Sequence, residues 1–248
     1  MEADKFVKLK VKNSRQTLFG ILIASAVVAT WIMTHIHSVF YFKWGIHAII
    51  SGPLCFLAIS WLYVGLFITA HDCMHGSLAP SLPRLNDAIG RLCLFLYIGF
   101  FFSELKKKHY LHHHYSGTVN DPDFYASPPH GFCRWYWSFL TEYFGWSQLL
   151  FIIIVAISYL LVFNVSFLNL LFFWAMPALG SSLQLFYFGT YLPHRPEKVP
   201  FADSHLARSN NYNWLVSLLT CFHFGYHYEH HCFPNVPWWN LPAIRGKS

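Results

Sequence analysis

Charged side chains are scarce in this sequence: Asp, Glu, Lys and Arg make up 11% of its 248 residues, whereas 55% are hydrophobic and 20% are aromatic. The second, third and fourth of its long apolar runs carry no charged residue in their middle parts. This composition excludes an ordinary soluble domain and predicts an integral membrane protein. It also argues against a transporter, because transporters place ionisable residues inside their membrane spans.

Several common signatures are also missing. The six cysteines form no CxxC pair, so neither a redox pair nor a disulfide framework is expected. No repeat of roughly 20–50 residues and no low-complexity tract occurs, and there is no flavin or haem motif. A basic region precedes the first apolar run, but that run is too long for a signal peptide and lacks a small-residue cleavage site. The net charge is +6, and most of the lysines and arginines flank apolar runs. The positive-inside rule explains this excess, so it does not argue for nucleic-acid binding.

Four apolar runs are long enough to cross a membrane as helices, since about 20 apolar residues span the hydrocarbon core. Together with a polar, basic tail at residues 1–16, they predict a single all-α membrane domain over residues 1–248. In this arrangement the spans form two hairpins, and a helical cap on the cytoplasmic side holds the functional site. The predicted spans are residues 17–41, 45–70, 147–164 and 167–192.

The sidedness of these spans is predicted from their flanking charges. Under the two-hairpin topology, all lysines and arginines except Lys43 fall on one side of the membrane. The positive-inside rule identifies that side, which also holds both termini, as the cytoplasm. The run at residues 86–102 is shorter and is interrupted by Arg91, so it is expected to be an interfacial or re-entrant helix. A full crossing there would separate the histidine motifs from one another.

Histidine is abundant, with 16 residues, and half of these lie in three motifs. His71 and His75 form the pattern HxxxH, and the pattern HxxHH then occurs twice. On a helix, residues three and four apart share a face, so each motif directs its imidazoles toward one point. Imidazole is the commonest metal ligand in proteins, and eight of them are too many for one tetrahedral zinc ion. The HxxHH motifs are His109, His112 and His113, and His227, His230 and His231.

Four residues near these motifs are further candidates. His194 lies at the inner end of the fourth predicted span and is favoured as a ninth ligand over an interfacial histidine bonded to a backbone carbonyl. His223, four residues before His227 on the same predicted helical face, is either a tenth ligand or a residue that orients one. Asp72 and Glu229 lie within the motifs and either anchor the N–H of a ligating imidazole or are solvated charges.

Asp121 follows the second motif in the sequence NDPD. It is expected to cap the turn there, and a catalytic role toward substrate or protons is the weaker interpretation. Nine imidazoles would serve two metal ions with four or five nitrogens each. The alternative is a set of histidine-rich loops that bind no metal, which the repetition of the HxxHH pattern disfavours.

The motifs and the segments between them resemble a known family. HDCMHG, HYLHHHYSGTVNDPDFY, LQLFYFGTYLPH and FHFGYHYEHHCFPNVPWWNLP are similar to the bacterial and cyanobacterial β-carotene ketolases (4,4′-oxygenases) of the membrane fatty-acid desaturase and hydroxylase superfamily. The similarity runs from about Leu62 to Pro242. One departure is His114, which stands where the family pattern has a small residue.

This resemblance implies an oxidoreductase with two histidine-bound iron ions, which uses O2 and electrons from an external donor such as a ferredoxin. The implied reaction oxidises C4 and C4′ of β-ionone rings to ketones by two hydroxylations of one carbon and loss of water. β-Carotene would give echinenone and canthaxanthin, and zeaxanthin would give astaxanthin. The implied partners are the carotenoid, the donor and the lipid of a bacterial inner membrane or a cyanobacterial thylakoid-type membrane, and no nucleic acid.

Two surfaces follow from the same interpretation. Lys106–Lys108, Arg195 and Lys198 form a basic face that either docks an acidic electron donor or results from membrane topology alone. A set of aromatic residues is expected either to line an apolar tunnel for substrate or to belong to interfacial belts. These residues are Phe100–Phe102, Trp135, Trp137, Phe186, Tyr187, Trp238 and Trp239.

Other functions share parts of the pattern. A carotenoid 3-hydroxylase and a fatty-acyl desaturase or hydroxylase use the same histidine motifs, and only the segments between the motifs favour the ketolase. A non-enzymatic membrane metal or haem protein is the alternative from another class. Haem held by two histidines in a bundle uses facing spans near the middle of the membrane, whereas these histidines lie at one membrane face.

Overall fold

The computed structural model describes residues 2–128 and 131–245, with side chains from residue 13 onward. Every regular element in these ranges is helical, as the composition predicts. The α-helices are Glu2–Ile36 (α1), Ala48–Met74 (α2), Pro83–Ile98 (α3), Phe102–Tyr115 (α4), Phe132–Tyr143 (α5), Trp146–Ile157 (α6), Phe167–Leu170 (α7), Met176–Leu185 (α8), Leu192–His194 (α9), Trp214–Cys221 (α10), His227–Cys232 (α11) and Leu241–Ile244 (α12). The remaining described turns are π-helical at His37–Tyr41, Ser158–Val162, Leu171–Ala175 and Phe186–Tyr191, and 3-10 at Trp238–Asn240.

Three helical stretches within the described ranges are long and apolar enough to cross a membrane: Asn13–Tyr41, Ala48–Met74 and Phe167–His194. They correspond to the first, second and fourth predicted spans. The first stretch is the apolar part of α1, which begins at Glu2, so the predicted polar tail is mostly helical. In the last stretch, π-helical turns join α7, α8 and α9 into one rod that continues past Pro177.

The predicted third span is a different case. It corresponds to Trp146–Val162, which reaches spanning length only together with α5, and the two helices are bent by 81°. Helices α3 and α4 form a second bent pair, at 99°, in the region expected to be interfacial or re-entrant. The described helices are therefore compatible with three to five crossings, and the count of four stays a prediction.

The sharp turn between α3 and α4 depends on a glycine. Gly99 ends α3 with a φ of 72°, in the left-handed region that glycine adopts without steric cost. A Cβ atom at this position would lie 2.6 Å from the ring of Phe151 on α6. The glycine thus turns α4 across the end of the bundle and lets α6 approach closely.

Helix α2 is the centre of the bundle. It packs against α1, α3 and α8, and most of its residues from Ile59 to Met74 are buried. Because the buried face includes the end of the helix, His71 is carried into the interior rather than to the surface. The hydrophobic core around α2 therefore positions the first histidine motif.

The opposite end of the bundle is closed by a polar contact. The Asn169 side chain accepts a hydrogen bond from Trp44 Nε1 at 2.6 Å. Its amide donates to the carbonyls of Val39 and Phe42 at 3.2 and 3.0 Å. These bonds join α7 to the turn between α1 and α2, and they satisfy backbone groups that the turn leaves free.

Candidate metal centre

Nine histidines converge at one end of the bundle and separate into two groups. Within each group, the nitrogen atoms that could bind an ion all lie within 4.8 Å of one another. These are the nine histidines that the sequence predicts as ligands. The first group is His71, His75, His109, His113 and His230, and the second group is His112, His194, His227 and His231.

The division into groups follows from helix geometry. Residues four apart on a helix lie about 40° apart around the axis, whereas a residue three positions along lies about 60° to the other side. On α4, His109 and His113 accordingly face the first group and His112 faces the second. On α11, His227 and His231 face the second group and His230 faces the first. Each HxxHH motif therefore serves both groups.

Within each group, the Nε2 atoms of several histidines lie close to one another. In the first group, His113 Nε2 lies 3.1 Å from His109 Nε2 and 3.0 Å from His230 Nε2. In the second group, His231 Nε2 lies 3.2 Å from His112 Nε2 and 3.0 Å from His227 Nε2. Two nitrogens bound at right angles to one ion, each about 2.1 Å from it, are about 3.0 Å apart. The spacing and the all-imidazole donor set fit one transition-metal ion in each group.

The hydrogen bond of His194 shows which of its ring nitrogens is available to an ion. His194 Nδ1 lies 2.8 Å from the carbonyl of Leu206, which can only accept, so Nδ1 carries the proton. His194 Nε2 is then the unprotonated nitrogen, and it is buried without a hydrogen-bond partner among the described residues. A buried polar atom of this kind is costly unless it has a partner, and a metal ion bound in the second group would supply one.

Burial also keeps the third motif in the form that binds metals. It lowers the pKa of His227, His230 and His231 well below the usual imidazole value, and the neighbouring imidazoles lower it further. These side chains are therefore neutral at neutral pH. Neutral imidazole is the form in which histidine coordinates a metal ion.

Asp121 holds a histidine of the second group. Its Oδ1 accepts a hydrogen bond from His112 Nδ1 at 2.9 Å and from the Asp123 N–H at 2.8 Å. Its Oδ2 accepts the Gly117 N–H at 2.8 Å. Asp121 thus stabilises the turn, and it also orients His112, a role that the sequence analysis missed. The available signal was an acidic residue in the tight turn directly after a histidine motif.

The two carboxylates inside the motifs are buried, so neither is a solvated charge. Asp72 Oδ1 lies 3.6 Å from His71 Nδ1, and its Oδ2 accepts the Trp238 N–H at 3.0 Å. Asp72 thus ties the first motif to the C-terminal segment. Glu229 accepts a hydrogen bond from the Ser209 hydroxyl, which links α11 to the segment that precedes α10.

His223 lies outside both groups. The expectation that it shares a helical face with His227 is wrong, because α10 ends at Cys221 and α11 begins only at His227. Phe222 and His223 adopt left-handed backbone conformations, with φ of 49° and 61°. The His223 ring packs 5.2 Å from the ring of Trp214, measured between centroids. His223 is therefore not among the described side chains that could bind an ion in either group.

An apolar cavity of about 240 Å³ adjoins both groups. His71 and His109 of the first group and His112 and His227 of the second form part of its wall. The rest of the wall comes mainly from apolar side chains of α3 to α6, α8 and the turns beside α8. An apolar ligand in this cavity would therefore lie directly against both histidine groups.

The structure separates the aromatic residues that the sequence assigns either to a substrate tunnel or to interfacial belts. Phe100 lines the cavity, but the other predicted aromatic residues do not lie among its described wall residues. Trp135 and Phe186 belong to a separate aromatic cluster, with ring centroids 6.2 Å apart. Trp137 is 68% exposed on the outer surface. The interfacial interpretation therefore fits Trp137, and packing accounts for the buried rings.

The predicted basic face is partly neutralised. Lys106 lies 3.9 Å from Asp87, and Lys108 lies 2.7 Å from Glu142. Arg195 is paired with Glu197 at 2.7 Å. Lys107 and Lys198 are exposed, so the face keeps a smaller excess of positive charge than the sequence suggests.

Comparison with known proteins agrees with this arrangement. Residues 45–155 and 143–247 match the family model described as fatty acid desaturase. The chain belongs to this family. The fatty acid desaturase match covers α2, which carries the first histidine motif, and all later helices of the described chain.

Several members of the family are similar over most of this chain. A β-carotene ketolase of Paracoccus sp. (strain N81106 / MBIC 01143) is 44% identical over 233 residues, which cover 94% of each chain. A β-carotene ketolase of Haematococcus lacustris is 36% identical, over 92% of this chain and 79% of the relative. A zeaxanthin 4-ketolase of Chlamydomonas reinhardtii is 38% identical, over 93% of this chain and 54% of the relative.

Proposed function

We propose that this chain is a membrane-bound carotenoid ketolase, an oxidoreductase that converts C4 of a β-ionone ring into a ketone. The observation that carries the proposal is the pair of histidine groups facing one apolar cavity. Similarity to ketolases over 94% of the chain supports the choice of carotenoid as substrate and of C4 as the oxidised carbon.

The metals in this proposal are two iron ions, one in each histidine group. His71, His75, His109, His113 and His230 would hold the first, and His112, His194, His227 and His231 would hold the second. Bound iron would supply the activation of O2 that an apolar C–H bond requires. Each hydroxylation consumes one O2, two electrons and two protons, and it yields one C–OH group and one water. A second hydroxylation of the same carbon gives a geminal diol, which loses water to form the ketone.

The cavity would bind one end of the substrate. Its 240 Å³ is below the roughly 300–1,000 Å³ of pockets that enclose a drug-sized ligand, so it accepts a ring and not a whole carotenoid. Apolar walls would hold the β-ionone ring against the histidine groups and exclude bulk water. The polyene would extend toward the lipid past Leu179, a cavity residue that is 58% exposed.

Two polar residues on the cavity wall are suited to proton delivery. Asp123 and Tyr143 both line the cavity, and the Tyr143 hydroxyl donates a hydrogen bond to Asp123 Oδ1. Burial raises the pKa of Asp123 to about 6. A carboxyl group with this pKa exchanges protons readily near neutral pH. In this proposal Asp123 supplies protons, and Asp121 acts through the orientation of His112.

The proposed location is the inner membrane of a bacterium or a thylakoid-type membrane, with both termini and the histidine groups on the cytoplasmic side. The distribution of lysine and arginine supports this sidedness, since only Lys43 falls at the opposite end. A ferredoxin-like protein would supply the electrons from the cytoplasm. In intact cells, a membrane-impermeant maleimide would label a Lys43→Cys variant and leave the exposed Cys133 unmodified. Labelling of Cys133 in intact cells would refute this sidedness.

The function is tested by expression in a bacterium that produces β-carotene, followed by chromatography and mass spectrometry of the pigments. Ketolation adds about 14 Da per ring, because two hydrogens are replaced by one oxygen. This product should be absent with His227→Ala, which removes a ligand of the second group. Products that are only about 16 Da heavier would identify a hydroxylase instead. Unchanged pigment from well-expressed protein would overturn the carotenoid assignment.

A further inference from the structure

A third cluster of metal-binding side chains lies outside the two histidine groups. Asp203, His205 and Cys232 place a carboxylate oxygen, an imidazole nitrogen and a thiol sulfur within 4.8 Å of one another. We propose that these three residues form a separate surface site for a single divalent ion of the zinc, cobalt or iron(II) class. The site is not needed for the proposed ketolase reaction, and it stands or falls independently of it.

The three donors come from two segments that the fold brings together. Asp203 and His205 lie in the loop between α9 and α10, and Cys232 is the last residue of α11. Thiolate, imidazole and carboxylate together favour zinc-class ions over Mg²⁺ or Ca²⁺, which select oxygen ligands. Three protein ligands leave a fourth tetrahedral position for water. This open position distinguishes the cluster from a closed structural zinc site.

The Asp203 carboxylate is already fixed in place. Its Oδ1 accepts the His205 N–H at 2.9 Å, and its Oδ2 accepts the Tyr228 hydroxyl at 2.8 Å. Each carboxylate oxygen has two lone pairs, so these bonds leave acceptor capacity for a metal ion. Hydrogen bonds that orient a ligating carboxylate are typical supports of metal sites.

The cluster lies between solvent and the second histidine group. Asp203 is exposed, and His205 and Cys232 are half-buried. The His205 ring lies 6.2 Å from the ring of His231, between centroids, and Cys232 follows His231 directly on α11. Leu206, next to His205, accepts the hydrogen bond from His194. An ion at this surface site would thus lie next to residues that hold the second group.

The first test is cobalt titration of purified protein that retains its iron. Cobalt bound by a thiolate gives a charge-transfer absorption in the near ultraviolet, which cobalt bound only by imidazoles does not give. We expect this band to saturate at one equivalent, to be lost in Cys232→Ser and to persist in Cys133→Ser. Cys133 is the matched control, because it is an exposed free cysteine outside the cluster. A protein without the band, or a band that survives Cys232→Ser, would overturn the site.

The second test needs no variant. Alkylation by a maleimide, followed by peptide mass spectrometry, reports the rate at which each thiol reacts. Cobalt should slow the modification of Cys232 and leave that of Cys133 unchanged, because only the former thiol would be bound to the ion. Equal rates for Cys232 with and without cobalt would contradict the proposal, whatever the behaviour of the variants.

Discussion

In each of these histidines, one ring nitrogen faces the interior of its group. The hydrogen bond made by the other ring nitrogen determines how well the ring orientation is fixed. For His112 the anchor is the Asp121 carboxylate, which the backbone of the following turn also holds. For His194 it is the carbonyl of Leu206. Such anchors fix the tautomer and the ring orientation, so a residue that never touches the ion contributes to its binding.

Asp121→Asn tests this anchor. The amide keeps the size of the side chain but loses the charge and one acceptor, so we expect iron affinity of the second group to fall ~10–100-fold. The first group should keep its ion. Iron per chain, measured after dialysis against a graded chelator series, should fall from two toward one. Asp87→Asn is the matched control, because Asp87 pairs with Lys106 on the surface at 3.9 Å. Equal iron retention by both variants would refute the role of Asp121.

His223→Asn separates a packing residue from a ligand. Asparagine tolerates the left-handed conformation that His223 adopts, so the backbone turn should persist. We expect this variant to keep both ions, because the ring lies outside the two groups. His227→Asn, by contrast, should lose the ion of the second group. The number of ions per chain, measured for both variants, distinguishes the two roles. Loss of one ion from His223→Asn would show that His223 is a ligand.

The sequence predicts individual site residues unevenly, and the reason is physical. The spacing of the HxxHH motifs identifies their histidines, and the i, i+4 rule could also have assigned them to two groups. The separation of His223 from His227 has a weaker signal, the helix breaker Gly225 between them. It depends on left-handed conformations at Phe222 and His223, which are uncommon for any residue except glycine, although histidine adopts them more often than phenylalanine does. The anchoring role of Asp121 has only an indirect signal, an acidic residue in the turn after the motif, because the anchor itself is a contact that the folded turn creates.

At the scale of helices, the loop that follows His75 of the first histidine motif is hydrogen-bonded to α1. Gln16 donates to the Ser77 carbonyl at 2.6 Å, and Thr17 Oγ1 accepts the Ser81 N–H at 2.9 Å. These bonds require close approach of the two backbones. Gly20 permits it, because it presents no side chain toward the loop.

Gly20→Ala should break this contact. The added Cβ would lie 2.0 Å from the carbonyl oxygen of Leu78, which belongs to the backbone and cannot rotate away. We expect a loss of ~1–3 kcal/mol of stability, typical of overpacking. The midpoint of thermal unfolding in detergent, followed by tryptophan fluorescence, should fall accordingly. Gly45→Ala is the control, since its Cβ would meet no atom within 4 Å. Equal midpoints for the two variants would show that the helices can separate without cost.

The sequence predicts the long helices well and the bends between helices poorly. Long apolar runs identify α1, α2 and the rod from α7 to α9 directly, because length and hydropathy are local properties. The bends of 99° and 81° depend on how helices pack, and hydropathy does not encode them. Gly99 indicates a helix end in the sequence, but the close approach of the Phe151 ring is a contact between helices that the sequence does not show.

At the scale of the whole molecule, the position of the cavity determines how substrate reaches the site. Histidines of both groups line the cavity, and so do Leu179 and Phe144, which are exposed on the outer surface. A carotenoid dissolved in the bilayer would therefore enter sideways, between α5, α6 and α8. It would not have to leave the lipid to reach the histidine groups.

Leu179→Trp tests lateral access. An indole at this exposed cavity position would fill the space through which the ring passes. We expect the rate of ketone formation to fall by ~10-fold or more, the lower range of misfit effects in apolar pockets. Leu183→Trp is the control, because Leu183 is on the same helix and 40% exposed but does not line the cavity. Pigment conversion is compared at equal expression and equal iron content. If both variants convert β-carotene at the rate of the unsubstituted protein, the proposed entry past Leu179 is wrong. The ring would then reach the histidine groups by another route.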